Sequence, residues 1–261
     1  MPLSSPLDYL PIWALLVCIS AAVLAFIEIG FQYGRHRCAV CEVEATAPLG
    51  TILSATLGLL AFMLAFTFGL AASRFEARRQ TVVEEANSIG TTYLRASFLP
   101  QPQSTQVRQL LSQYVDSRLD VAMTGNADQA LRRADELHLQ LWRNAEEVGR
   151  SNGDSIVVGL FIESLNETID IHSKRVLVGL RSRLPLALWL ALFILTAFSM
   201  IGVGYHEALA KSKRSPARLL LIFGFLAVLT LIVDLDRPFE GFLTVNQEAM
   251  INLKAMMDKL P

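Results

Sequence analysis

Charge is what this chain has least of: Asp, Glu, Lys and Arg make up 18% of its 261 residues, where a soluble domain carries roughly 25%. The 23 basic and 24 acidic residues nearly cancel, to a net charge of −1. That balance lacks the basic excess of a nucleic-acid partner. Three cysteines are too few for a disulfide framework. No Gly-rich phosphate loop, Ser-His-Asp order or two-histidine metal motif is present. The chain therefore offers no nucleophile, base or complete metal set, and the reading is not an enzyme, with no cofactor and no metal. Sustained period-two alternation is also missing, which argues against a β architecture.

Hydrophobic residues, by contrast, make up 52%, with mean hydropathy +0.41. They are concentrated in four charge-free runs, at residues 9–27, 45–73, 184–205 and 219–233. The first three reach the length of about 20 apolar residues that crosses a bilayer. The fourth holds 15 residues; at 1.5 Å per residue it covers about 22 Å, short of a core roughly 30 Å thick. It spans only if Arg218 snorkels at one end and Asp234 comes close to the interface at the other. The first eight residues hold no Lys or Arg, so the first run reads as a retained span and not as a cleaved signal.

The expected fold is all-α, an integral membrane protein with four transmembrane helices and a helical soluble insert. Residues 1–73 hold spans one and two, 74–183 the insert, 184–235 spans three and four, and 236–261 a C-terminal tail. Nothing breaks the helix after Ser73, so span two is expected to continue into water as one long helix. Leu99-Pro100-Gln101-Pro102 ends it, because proline disfavours helix in the residue before it. Within the insert, one stripe is Val107, Leu110, Leu111, Tyr114, Val115 and Leu119. A second is Leu131, Ala134, Leu137, Leu141, Ala145 and Val148. A third is Ile156, Leu160, Leu165, Ile169, His172, Val176 and Leu180. Each recurs at helical spacing. Asp154 or Ser155 can cap the last of these helices.

Several residue groups carry chemistry. Thr51, Ala55, Gly58, Phe62, Phe66 and Gly69 step by three or four and share one face of span two. A ring of such faces makes a narrow apolar constriction, of the kind that gates by dewetting. Arg74 and Arg78 extend the face to a mouth where they would concentrate anions. The alternative is close helix packing through small residues within one subunit. Arg74, Glu76, Arg78, Arg79, Glu84 and Glu85 could form a salt-bridge lattice or a solvated helix face. His36-x-Cys38-x-x-Cys41 supplies three metal-type ligands where a structural zinc site needs four; an ordinary loop or a redox pair are the other readings. Asp234, Asp236 and Arg237 read either as a functional cluster at a membrane face or as a helix end with an Asp–Arg pair. His172 reads as a hydrogen-bonded packing residue.

Two segments resemble the bestrophins, an anion-channel family. Leu57-Gly58-Leu59-Leu60-Ala61-Phe62-Met63-Leu64-Ala65-Phe66, running through Ser73-Arg74-Phe75-Glu76-Ala77-Arg78-Arg79, is similar to the bestrophin second span and its Arg-Phe-x-Glu-Ala-Arg continuation. Asp234-Leu235-Asp236-Arg237-Pro238-Phe239-Glu240-Gly241 resembles the acidic Pro-Phe-Gly stretch after the fourth span. The closer resemblance is to the bacterial bestrophin-like four-span proteins. It implies a homo-oligomer, by resemblance a pentamer, set in the lipid bilayer of the cell inner membrane. Span two would line a pore for small anions, with Gly58, Phe62, Phe66 and Gly69 at the constriction and Arg74 and Arg78 at the mouth. Asp234, Asp236, Pro238, Phe239 and Gly241 would form the post-span acidic motif. Charge counting in the short loops splits between the two orientations. The resemblance places the termini and the insert in the cytoplasm. The competing reading is a non-conducting membrane scaffold or signalling protein whose insert binds a partner.

Overall fold

The computed structural model describes residues 11–40, 46–124, 127–210, 217–237 and 241–260. Every regular element among them is helical. Four of the helices hold segments long and apolar enough to cross a membrane: Ile12–Arg37, Pro48–Ala96, Leu186–Leu209 and Leu219–Asp236. The chain divides into two compact units. One comprises Met1–Arg74 and Arg183–Leu243, the other Phe75–Ser182 and Thr244–Pro261.

The first unit holds α1 (Ile12–Val40), the apolar part of α2 (Thr46–Ala96), α6 (Leu186–Leu209) and α7 (Ala217–Asp236). α1 and α6 lie closely packed. A Cβ on Gly30 would stand 2.0 Å from the Ile201 carbonyl oxygen. Only glycine lets the backbones approach this far, the small-residue packing favoured between helices in lipid. Phe26 and Phe193 stack edge-on at 5.7 Å on the same seam. α7 runs to 20 residues, about 30 Å of helix, because it begins at Ala217 and continues through Asp234 and Asp236. The short fourth run thus reaches membrane thickness by extending at both ends, its acidic end included.

The 51-residue α2 would measure about 76 Å, more than twice a bilayer core. Its charge-free part ends at Ser73, and the rest, from Phe75, belongs to the second unit. That unit adds α3 (Gln103–Thr124), α4 (Ala127–Ser151), α5 (Ile156–Val176) and α8 (Glu248–Met257). A π-helical turn, Leu177–Arg181, extends α5. The core is built from Ile89 of α2, Leu111 and Tyr114 of α3, Leu137 and Leu141 of α4, Phe161 and Leu165 of α5, and Met250 of α8. The stripe expected on α3 packs inward, and so does that on α4 from Ala134 to Val148, while Leu131 at its start stays outside the core.

The stripe expected on α5 is partly displaced. Ile156 is 80% exposed and Leu160 also faces out, while Val158, Phe161, Ser164, Leu165, Thr168 and His172 are buried. The buried face contains two hydroxyls because they are bonded: Ser164 Oγ donates to the Phe161 carbonyl at 2.9 Å, and Thr168 Oγ1 lies 2.7 Å from Ser88 Oγ and 2.9 Å from Thr92 Oγ1. Bonded hydroxyls bury cheaply, so they can occupy a core face that an apolar count assigns elsewhere. Ser155 stands at the N-cap of α5 but makes no side-chain cap bond. The last segment, set apart in the sequence as part of a tail, folds with the second unit. Lys254 of α8 reaches Ser112 Oγ at 2.9 Å and Asp116 at 3.0 Å. Burial costs the ammonium a little, but bonding to Asp116 outweighs it and raises its pKa.

Candidate functional site

The apolar part of α2 has two unlike faces. Leu60, Leu64, Thr67 and Ala71 step by three or four and are buried. Thr67 is satisfied by donating to the Met63 carbonyl at 2.7 Å. Thr51, Ala55, Gly58, Phe62, Phe66 and Gly69 are all exposed in the single chain. Phe62 is 65% and Phe66 50% exposed, and a Cβ on Gly58 or Gly69 would meet nothing within 4 Å. Among the described residues, nothing in the single chain packs against Gly58 or Gly69 on this face.

At the end of this face the two arginines part. Arg74 is partly exposed. Arg78 is buried, 4% exposed, and makes an interaction of its own. Further along α2 the charged residues separate in the same way. Glu76 and Arg79 form an exposed pair at 3.5 Å, and Glu84 pairs with Lys174 at 2.7 Å. Surface pairs of this kind contribute little.

Glu85 is different. It is fully buried and collects partners from α3 and α5. Tyr114 Oη donates to its Oε1 at 2.5 Å, Arg175 bonds its Oε2, and Arg118 Nε lies 3.4 Å from Oε1. His172 Nδ1 is 2.8 Å from the Tyr114 hydroxyl, and the His138 ring packs on both Tyr114 and His172. Burial pushes the Glu85 carboxyl up, but Arg118 and Arg175 outweigh it and hold it far below the ordinary carboxylate range. The same burial, with the Glu85 charge beside it, pushes the Tyr114 phenol well above its usual value. Burial lowers the Arg175 pKa, with Glu85 opposing. Sequence spacing missed this cluster, because the partners of Glu85 lie 29 to 90 positions from it.

The acidic stretch after span four is a backbone clamp. Asp234 accepts from the amides of Phe242 at 2.8 Å and Leu243 at 2.9 Å. Asp236 accepts from the amide of Leu184 at 3.0 Å, just before α6. Asp234 and Asp236 are buried. A Cβ on Gly241 would stand 2.5 Å from Asp234 Oδ1, so a glycine there lets the loop fold back. Pro238, Phe239 and Cys41 lie outside the described residues, as does the side chain of Cys38. Among the described residues no group of three or more His, Cys, Asp or Glu could hold a metal.

The family described as the bestrophin-like domain matches residues 21–250. A structure of a bacterial bestrophin homolog from Klebsiella pneumoniae, carrying a leucine-to-threonine mutation, is similar to this chain with a TM-score of 0.68 at 15% identity. The similarity covers 94% of this chain and 99% of that one. Another structure of a bacterial bestrophin homolog from the same organism gives a TM-score of 0.63 at 15% identity, over 93% of this chain and 100% of that one. Among curated proteins nothing matches. At such identities the structures speak to fold alone; the match over residues 21–250 settles the kinship, and this four-span membrane protein belongs to the bestrophin-like family.

Proposed function

We propose that the chain is a homo-oligomeric membrane channel for small anions, with α2 of each subunit lining the pore. The observation that carries this reading is the free face of α2. A helix wholly packed within one subunit would bury its small residues; here Gly58 and Gly69 border open space, and Phe62 and Phe66 project. A ring of these faces forms a narrow apolar throat, which controls passage by wetting and dewetting. The lining has no carboxylate between residues 45 and 73. Arg74, at its end, supplies the positive charge that concentrates anions. Five subunits complete the ring, the number that resemblance to bestrophins implies. The assembly sits in the cell inner membrane, with the termini and the helical insert in the cytoplasm.

The test is the subunit number of the purified protein by native mass spectrometry, followed by chloride efflux from liposomes. A closed ring of five and efflux above that of empty vesicles are expected. A folded monomer or dimer without efflux would overturn the reading.

A further inference from the structure

α4 seats on the second unit through Ala134, Leu137, Leu141, Ala145 and Val148, all buried. His138 interrupts this apolar face, and it too is buried, 7% exposed. Its ring lies 4.8 Å from that of Tyr114 on α3 and 4.7 Å from that of His172 on α5, crossing the latter at 80°. Its Nε2 is buried without a hydrogen-bond partner. A neutral imidazole fits this slot as an aromatic ring. An imidazolium must place two N–H donors and a charge there.

The titratable and charged groups around it come from three elements. α2 supplies Glu85, α3 supplies Tyr114 and Arg118, and α5 supplies His172 and Arg175. The residue before α8 contributes only the neutral Gln247, which accepts from Arg175. Glu85 is the one carboxylate, and it is already engaged by Tyr114, Arg175 and Arg118. A proton on His138 would add positive charge beside Arg118, Arg175 and His172, where Glu85 is the one carboxylate.

We propose that His138 is an acid-released latch: neutral, it seats α4 on α3 and α5, and protonation releases α4 from them. Burial first, then His172, with Arg118 adding and Glu85 opposing, lowers the His138 pKa from 6.5 to about 4. The released histidine returns toward 6.5, so between these values the released state binds the proton and the seated state does not. Seating is therefore full above about pH 6.5 and weakens as pH falls toward 4, by up to about tenfold per pH unit.

Trp142 lies on α4, half-buried against the core, and reports the seating. The other two tryptophans, Trp13 and Trp189, are replaced by Phe in the full chain, leaving Trp142 as the only fluorophore of its kind. Acrylamide quenching is then followed from pH 7.5 to 4 in reconstituted protein. Quenching is expected to rise severalfold across the acid half of that range in the parent and to stay flat in His138→Gln. Should Gln fail to seat at pH 7.5, His138→Phe keeps a ring without a titratable nitrogen and must also stay flat. A flat parent, or a rise in the variants equal to the parent's, overturns the proposal.

Discussion

Gly204 meets Ile27 backbone to backbone: a Cβ on Gly204 would stand 1.9 Å from the Ile27 carbonyl oxygen. Backbone cannot swing aside as a side-chain tip can. Gly204→Ala is therefore expected to force α1 and α6 apart and cost about 1–3 kcal/mol, the usual range for overpacking. Gly69→Ala, with nothing within 4 Å of its Cβ in the single chain, leaves the subunit's own packing untouched. Melting of the two variants in detergent checks the contrast. Equal melting points would show that the α1–α6 crossing tolerates a methyl.

Glu85 is the keystone of the second unit's polar core. Glu85→Leu leaves Arg118 and Arg175 facing one another without their carboxylate. Breaking a buried pair in this way typically costs about 3–5 kcal/mol. Truncating the exposed Glu76 of the Glu76–Arg79 pair is expected to cost well under 1 kcal/mol, as is usual for surface pairs. Denaturant unfolding of the two variants separates these cases.

The pH dependence of Glu85 has a definite sign. Its folded pKa lies below the ordinary 4.5, so its stabilisation is present at neutral pH. That stabilisation is lost as pH falls below about 4.5 toward the depressed folded value. Glu85→Gln, although less stable at neutral pH, is expected to show a shallower fall in stability over that acid range. A parallel fall in parent and variant would show that other carboxylates set the acid limit.

Asp234 holds the amides of Phe242 and Leu243. Asp234→Ala strands two donors and is expected to cost about 1–3 kcal/mol. The visible consequence is faster proteolysis after Leu243, where the loop loses its anchor. Unchanged cleavage would mean that neighbouring contacts hold the loop without the carboxylate.

Much of this architecture is written in local patterns. The charge-free runs mark all four spans, and the absence of proline after Ser73 announces the long α2. The stripes on α3 and, from Ala134 on, on α4 pack as their spacing implies. What failed to show is what depends on distant partners. Glu84 and Glu85 look alike on paper, yet one faces water and the other is buried, because Tyr114, Arg118 and Arg175 arrive from other helices. Thr168 looks like a surface residue until the Ser88 and Thr92 hydroxyls meet its own. On α2 the glycine and aromatic spacing is legible, but spacing alone does not say which face lies free; Leu60, Leu64 and Ala71 do, by packing inward. Nor does the place of Arg78 in the repeat announce its burial.

An apolar throat limits flux by the bulk of its widest side chains. Phe62→Ala and Phe66→Ala each remove an exposed ring from α2 and are expected to raise chloride efflux severalfold, as a wider constriction stays wet more of the time. Leu64→Ala lies on the packed face and is expected to lower stability, by about 2–5 kcal/mol if the cavity stays empty, without raising efflux. A fall in efflux for both phenylalanine variants would remove the constriction from these positions.

The most direct measurement is thiol block of chloride efflux in a cysteine-free background. Ala55→Cys and Gly69→Cys stand on the free face of α2, and Leu60→Cys on the packed one. A charged, membrane-impermeant thiol reagent is predicted to stop efflux through the first two and to leave the third unaffected. Efflux that persists with Ala55→Cys and Gly69→Cys fully labelled would contradict the account, because ions would then be crossing by another route.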